Sequence, residues 1–411
     1  MEHFQGYSLV SEQVSLSPST QLFFATDKAD NCVVLKLFKK EGNAQNLAKF
    51  KTIIDLQKQL EIKGVAKPIS VDETSDFCFT TFNIEHDSKT ILELSRNANI
   101  MLKDKLSIAI STCRLISELH SQQFIINSIS PQSLFVSPNN EVSLFDLSMA
   151  SKISAISKRV HSNRLNKQNL MVMSPEATGR MNRPVEKSSD LYSLGATLYE
   201  LFCGKFPFEY DDDMEMVHAH IAKTATLANT REPSVPEQIS LILAKLLKKN
   251  PEDRYKTALG VLNDLELCLQ NLNQEQLIKL FPLAEKDFSD KLVFSQKLYG
   301  RDAEVTALLN AFSLIEKTKR SQLCVIRGYS GVGKSRLVKE IYKPVTQQDS
   351  YFIAGKFEQY KKSTAYFALI NALTELVEQI LGESEEQLTH WSNVLQDALG
   401  INCQMVIDFI P

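Results

Sequence analysis

The sequence predicts an α+β fold of two lobes, followed by the opening of a separate parallel α/β domain. Residues 7–85 set short β-type runs around a single helix, and residues 102–270 carry helical apolar spacing. After a polar, broken stretch, a strand–loop–helix–strand pattern begins. At about 150 residues per domain, the chain of 411 residues has room for two or three domains.

In the first lobe, "QLFFATD" and "NCVVLKLF" are β-type runs separated by the polar turn "KADN". "AKFKTIIDLQKQL" has helical spacing and offers Phe50, Ile53, Ile54, Leu56 and Leu60 for one buried stripe. In the second lobe, "KDKLSIAISTCRLISELHSQQ" repeats Leu106, Ile110, Cys113 and Ile116 every three or four places. These lobes make a first domain over residues 1–270, and 271–296, ending "DFSDKLVFSQ", reads as a linker. From 297 to 411 the sequence reads as the front of an α/β domain: "SQLCVIRG" as an apolar strand, "YSGVGKS" as a turn, "RLVKEIYKPV" as a helix and "DSYFIAGKF" as a second strand.

Apolar residues make up 43% of the chain and charged residues 23%, as in an ordinary soluble protein. A net charge of −3 gives no electrostatic basis for nucleic acid or an anionic membrane as the main partner. No apolar run approaches the roughly 18 residues needed to span a bilayer. "MEHFQGYSLV" lacks the basic start and apolar core of a signal peptide. Seven scattered cysteines without a CxxC pair read as reduced thiols of a cytoplasmic protein.

"GYSGVGKS" places Gly328, Gly333, Lys334 and Ser335 in GxxxxGK[ST] register, with Gly331 inside the loop. The glycines let backbone N–H groups surround phosphate oxygens, and the following helix points its positive end at the same place. Lys334 brings a cation to the β- and γ-phosphates, and Ser335 offers a hydroxyl to Mg²⁺. The motif therefore predicts ATP with Mg²⁺ as ligand. Hydrolysis needs an acidic residue on a further strand, and Asp408, closing "QMVID", is the downstream candidate. An α/β domain needs more strands than this segment supplies, so the 411 residues are expected to be the front part of a longer polypeptide.

Residues 7–270 hold a second set of ordered landmarks. "VVLK" ends at Lys36, "FDLS" holds Asp146, and "MSPE" ends at Glu176. "SSDLYSLGATLYELFCGKFPF" holds Asp190 and Gly195, and "NPEDRY" holds Arg254. In this order they resemble a protein kinase. The resemblance implies a phosphate-binding lysine at Lys36, a magnesium position at Asp146, a fold-holding ion pair between Glu176 and Arg254, and a structural Asp190.

The catalytic loop departs from the kinase pattern. Kinases require an Asp to accept the substrate proton and an Asn to hold a second metal, within His-Arg-Asp-x-x-x-x-Asn. "FIINSISPQSLFV" aligned on Pro131 places Ser128 and Ser133 at those two positions. A serine hydroxyl is not a general base near neutral pH. "SEQVSLSPST", where a glycine-rich phosphate cover belongs, has no glycine. The helical Glu expected to pair with Lys36 falls at Ile53 in the best register, with Asp55 close by. No catalytic set is intact, so the expectation is a kinase fold without phosphotransfer, in which Lys36 and Asp146 either still hold a nucleotide or persist as inherited polar residues.

"MSPEATGRMNRPVEKSSDLYSLGATLYELFCGKFPF" and "KLYGRDAEVTALLNAF" together resemble the large bacterial hybrid sensors. These join a serine/threonine-kinase-like domain to an AAA-type P-loop domain, followed by a sensory module and a histidine kinase. The resemblance implies cytoplasmic two-component signal transduction with protein partners. An active serine/threonine kinase with a non-standard loop and a nucleotide-free scaffold are the alternatives.

Overall fold

The computed structural model describes residues 3–10, 14–17, 19–40, 44–97, 99–148, 150–152, 167–178, 183, 185–288, 300–329, 332–339, 351–355, 366–380 and 385–400. The chain divides into two units, the first comprising Met1–Val160, Arg164–Ala177 and Pro184–Val293, and the second centred on Phe294–Pro411.

The first unit opens with β1 (His3–Phe4), β2 (Tyr7–Leu9), β3 (Val14–Ser17), β4 (Thr20–Thr26) and β5 (Cys32–Lys39). Helix α1 (Ala44–Gln59), β6 (Pro68–Glu73) and β7 (Phe77–Asn83) follow. The strands form one antiparallel sheet in the order β1-β2-β4-β5-β7-β6, with β3 paired to β4. Register sets Leu22 opposite Lys36 and Phe24 opposite Val34, while Lys36 also faces Thr80 of β7. Because strand side chains alternate, two buried clusters cover the two faces. Phe4, Ala25, Val33, Leu35, Leu37 and Phe79 form one. Leu22, Val34, Phe38, Phe82 and the α1 residues Phe50 and Ile54 lie in the other. The predicted α1 stripe is thus buried at Phe50, Ile54 and Leu60, with Ile53 and Leu56 packed in part.

The second lobe begins with β8 (Lys89–Thr90) and α2 (Ile91–Ser95), which Thr90 and Glu93 cap reciprocally. Helix α3 (Leu102–Ser121) buries Leu106, Ile110, Cys113 and Ile116, as their spacing predicts. Short strands β9 (Phe124–Ile125), β10 (Leu134–Val136), β11 (Val142–Leu144) and β12 (Ser151–Lys152) form two small sheets, β11-β10-β8 and β12-β9. Helices α4 (Lys167–Leu170), α5 (Lys187–Cys203), α6 (Asp213–Ala222), α7 (Ala228–Arg231), α8 (Glu237–Leu246) and α9 (Ala258–Glu275) complete it. Helix α5 is buried almost all round and runs through the centre of the largest apolar cluster. It stops at Gly204, whose φ of 68° suits a glycine C-cap.

The stretch read as a linker is packed over its first part. Residues 271–275 finish α9, and Ile278 is buried in the main cluster with Phe281, Leu283 and Ala284 against it. Gln238 exchanges two hydrogen bonds with the Phe281 backbone. The buried Asp287 accepts from the Lys256 and Thr257 N–H groups and from the Thr257 hydroxyl. Backbone-directed polar contacts hold this strap, and such contacts leave no periodic signature in sequence.

The second unit contains α10 (Asp302–Thr318), α11 (Lys334–Lys339) and the helices Phe367–Ile380 and Glu385–Leu399. The expected strands over 321–328 and 349–357 are not formed among the described residues. Leu323 and Val325 are 91% and 67% exposed. A parallel strand takes its order from neighbours on both sides, and no described segment of this unit pairs with 321–329. Among the described residues no helix is long and apolar enough to cross a membrane.

Candidate functional site

Strand β5 carries Lys36 to the cleft side of the sheet, and the turn after β11 carries Asp146 to meet it. Lys36 Nζ donates to Asp146 Oδ1 at 2.8 Å, with Lys36 fully buried. The hydroxyl and the N–H of Ser148 donate to the same carboxylate oxygen. Burial pushes the Asp146 carboxyl up, but the Lys36 charge and the hydrogen bonds from Lys36 and Ser148 outweigh it and hold the group below its ordinary value. The structure thus brings together Lys36 and Asp146, two positions singled out separately in the sequence. Neither Ile53 nor Asp55 supplies Lys36 with a partner: Ile53 packs into the main core and Asp55 is exposed. The α1 side chain at the lysine is Phe50, with its ring centre 5.7 Å from Nζ.

The catalytic-loop segment is tied down from α5. Asp190 is fully buried and accepts from the N–H groups of Ile126 and Asn127 at 2.8 Å each. His120, at the end of α3, hydrogen-bonds the same carboxylate at 2.9 Å. Sequence reading assigned Asp190 a structural role but missed His120, since a single His on an apolar helix face gives no sign of a partner 70 residues away. Asn127 adopts φ 64°, a left-handed conformation that Asn tolerates.

Both serines at the catalytic positions are engaged within the fold. Ser128 Oγ donates to Asn169 Oδ1 at 3.0 Å, and the buried Ser133 Oγ donates to the Ser130 carbonyl at 2.9 Å. A hydroxyl hydrogen-bonded to an amide oxygen has no base to take its proton, and neither group supplies the negative charge that proton abstraction and metal binding demand. Among the described residues no group of three or more His, Cys, Asp or Glu could hold a metal ion.

Glu176 and Arg254 meet in a bidentate pair, both buried, at 2.7 and 2.9 Å. Ser189 donates to the same carboxylate, and Arg254 also donates to the carbonyls of Ser188, Lys248 and Lys249. Burial raises the Glu176 carboxyl, and the Arg254 guanidinium more than reverses this.

The glycine loop is the remaining candidate. Gly333 has φ 93°, the left-handed region that glycine enters freely. A Cβ at Gly328 would lie 2.8 Å from Val332 Cγ1. Lys334 Nζ, at the start of α11, donates to the carbonyls of Gly328 and Tyr329 at 2.9 and 2.7 Å. The cation thus lies over the loop that phosphates would occupy, a donor set that fits a nucleotide polyphosphate. Gly331, the Ser335 side chain and Asp408 lie outside the described residues.

Residues 20–264 match the family model for the protein kinase domain. The chain belongs to the protein kinase domain family. Residues 297–408 match the model for an AAA ATPase domain. The chain is 35% identical over 259 residues to hybrid signal transduction histidine kinase G of Dictyostelium discoideum, covering 58% of this chain and 8% of that protein. It is 23% identical over 350 residues to the peroxide stress-activated histidine kinase mak3 of Schizosaccharomyces pombe, covering 74% and 15%. To the serine/threonine-protein kinase PknB of Mycolicibacterium smegmatis it is 27% identical over 160 residues, covering 39% and 25%. The protein-kinase-family chain thus spans 8% to 25% of the length of these relatives.

Proposed function

We propose that this chain is a cytoplasmic signalling input module and the front part of a hybrid sensor histidine kinase. Its kinase-like domain, residues 1–270, binds and relays through protein partners without transferring phosphate. Its P-loop domain, from residue 297, holds ATP with Mg²⁺. Relatives named as histidine kinases in Dictyostelium and a yeast support the setting.

The observation that carries the reading is the pair of internally bonded hydroxyls, Ser128 on Asn169 and Ser133 on Ser130. Losing one general base costs about 10²–10⁴ in rate, before any loss of metal ligands. In the P-loop domain Lys334 would meet the β- and γ-phosphates and Ser335 the Mg²⁺, while the metal supplies charge neutralisation.

The test is ATP binding by calorimetry to the parent chain and to Lys334→Ala, with transfer from labelled ATP measured alongside. Binding that disappears in Lys334→Ala, with no transfer, supports the reading. Undiminished binding in that variant, or transfer that Lys36→Ala abolishes, overturns it. The retained Lys36–Asp146 contact favours a second reading as an active kinase, which the transfer assay decides.

A further inference from the structure

In a kinase the nucleotide lies between the sheet and the helical lobe, with its phosphates at the lysine and the metal-binding Asp. Here the base must lie beside Lys36 and Asp146, beneath β4, β5 and β7 and above β10. That space is where one buried cluster runs without interruption from the sheet into the second lobe. Leu22 and Phe24 point from the same face of β4, Val34 from β5 and Phe82 from β7. From below come Phe135 of β10 and Phe145, the residue before Asp146. The Phe24 and Phe135 ring centres are 5.2 Å apart, Phe135 and Phe145 4.7 Å, and Phe82 and Phe145 5.4 Å. Phe135 is 2% exposed. These are the spacings of ring pairs in direct edge-to-face contact, which leave no layer for a purine.

We infer that the kinase-like cleft is filled from within, Phe135 occupying the place of the nucleotide base. The inference deepens the proposed function, because it assigns Lys36 and Asp146 to each other rather than to phosphate and metal. The hollow that remains beside it has a volume of about 340 Å³ and is walled by Phe135 and Phe145. It is lined by Glu85 and by Glu141, which Lys63 pairs at 2.6 Å, and by no Lys or Arg, so its lining offers no cation to a polyphosphate. The closure joins sheet and helical lobe through a dry aromatic contact, so the lobes keep one relation without any ligand. A partner therefore meets a constant surface on this module.

Removing the plug should restore the space it fills, since apolar cavities made by truncation bind planar molecules of matching size. The probe is adenosine, which lacks phosphates and so reports on this cleft independently of the P-loop. Binding is followed by thermal shift and calorimetry on the full chain, in the parent, Phe135→Ala, Phe135→Leu and Phe24→Ala. The last two are milder, in case Phe135→Ala does not fold. The parent should show no binding at millimolar adenosine, and the folded variants should gain at least tenfold in affinity. Adenosine binding by the parent, or no gain in any folded variant, overturns the inference. Failure of the P-loop reading shows separately, as ATP binding that survives Lys334→Ala.

Discussion

Arg254 grips Glu176 through two parallel hydrogen bonds, 2.7 and 2.9 Å long, with both side chains buried. Removing one partner of such a pair leaves an uncompensated buried charge and typically costs about 3–5 kcal/mol. Arg254→Ala should lose stability on that scale in urea unfolding. The double variant Glu176→Gln, Arg254→Met should be more stable than Arg254→Ala alone, because no lone charge remains. Equal losses for the single and double variants would count against the pair as the cause.

Asp190→Asn should destabilise by about 3 kcal/mol, the scale of hydrogen bonds to a buried charge. The carboxylate accepts from two backbone N–H groups and from His120, and an amide has one accepting oxygen to offer them. Amide hydrogen exchange should accelerate first at Ile126 and Asn127. A variant as protected there as the parent would show that the loop holds itself.

Restoring the catalytic pattern should not restore catalysis. Ser128→Asp with Ser133→Asn returns the family residue types, but the packed rings of Phe24, Phe135 and Phe145 still fill the place of the base. Labelled ATP should transfer no phosphate above background to a generic substrate. Measurable turnover that depends on both substitutions would mean that these two residues were the whole deficit.

Stability should fall as the medium is acidified below pH 6.5. Burial, aided by the Lys249 cation, depresses His220 from its ordinary 6.5 to about 3. The unfolded chain takes up a proton near pH 6.5 that the folded chain refuses until about pH 3, so the folded state loses up to about 1.4 kcal/mol per pH unit between them. Lower still, Glu176 and Asp146, whose folded values are depressed, withdraw their contributions as they protonate. Urea midpoints measured across this range should slope downward in the parent and less steeply in His220→Gln. Parallel slopes would remove His220 as the origin.

Gly260→Ala should loosen the strap after α9. An added Cβ would lie 2.4 Å from Asp287 Oδ1. Alanine favours the helix by about 1 kcal/mol, but overpacking costs about 1–3 kcal/mol and displaces the strap. Limited proteolysis should cut residues 277–288 faster in the variant. An unchanged rate would show that Asp287 shifts without releasing its backbone partners.

What the sequence made legible follows from how each signal arises. The α3 stripe was readable because periodicity fixes it locally, whereas the Glu176–Arg254 pair, 78 residues apart, came only from the resemblance to protein kinases. The residue at Lys36 was misplaced by three positions, from Ile53 to Phe50, because a helix register is set by loop length and packing. The strap at 277–288 was invisible because polar contacts to backbone carry no spacing rule. The strands expected around the phosphate loop are not paired among the described residues, since an apolar run becomes a strand only beside a partner.

Lys334 rests on the carbonyls of Gly328 and Tyr329, two neutral acceptors on its own loop. An arriving anion must first win the ammonium from them. Small anions at high salt compete for the same ammonium, so occupancy of this loop should be sensitive to the ionic medium as well as to nucleotide concentration.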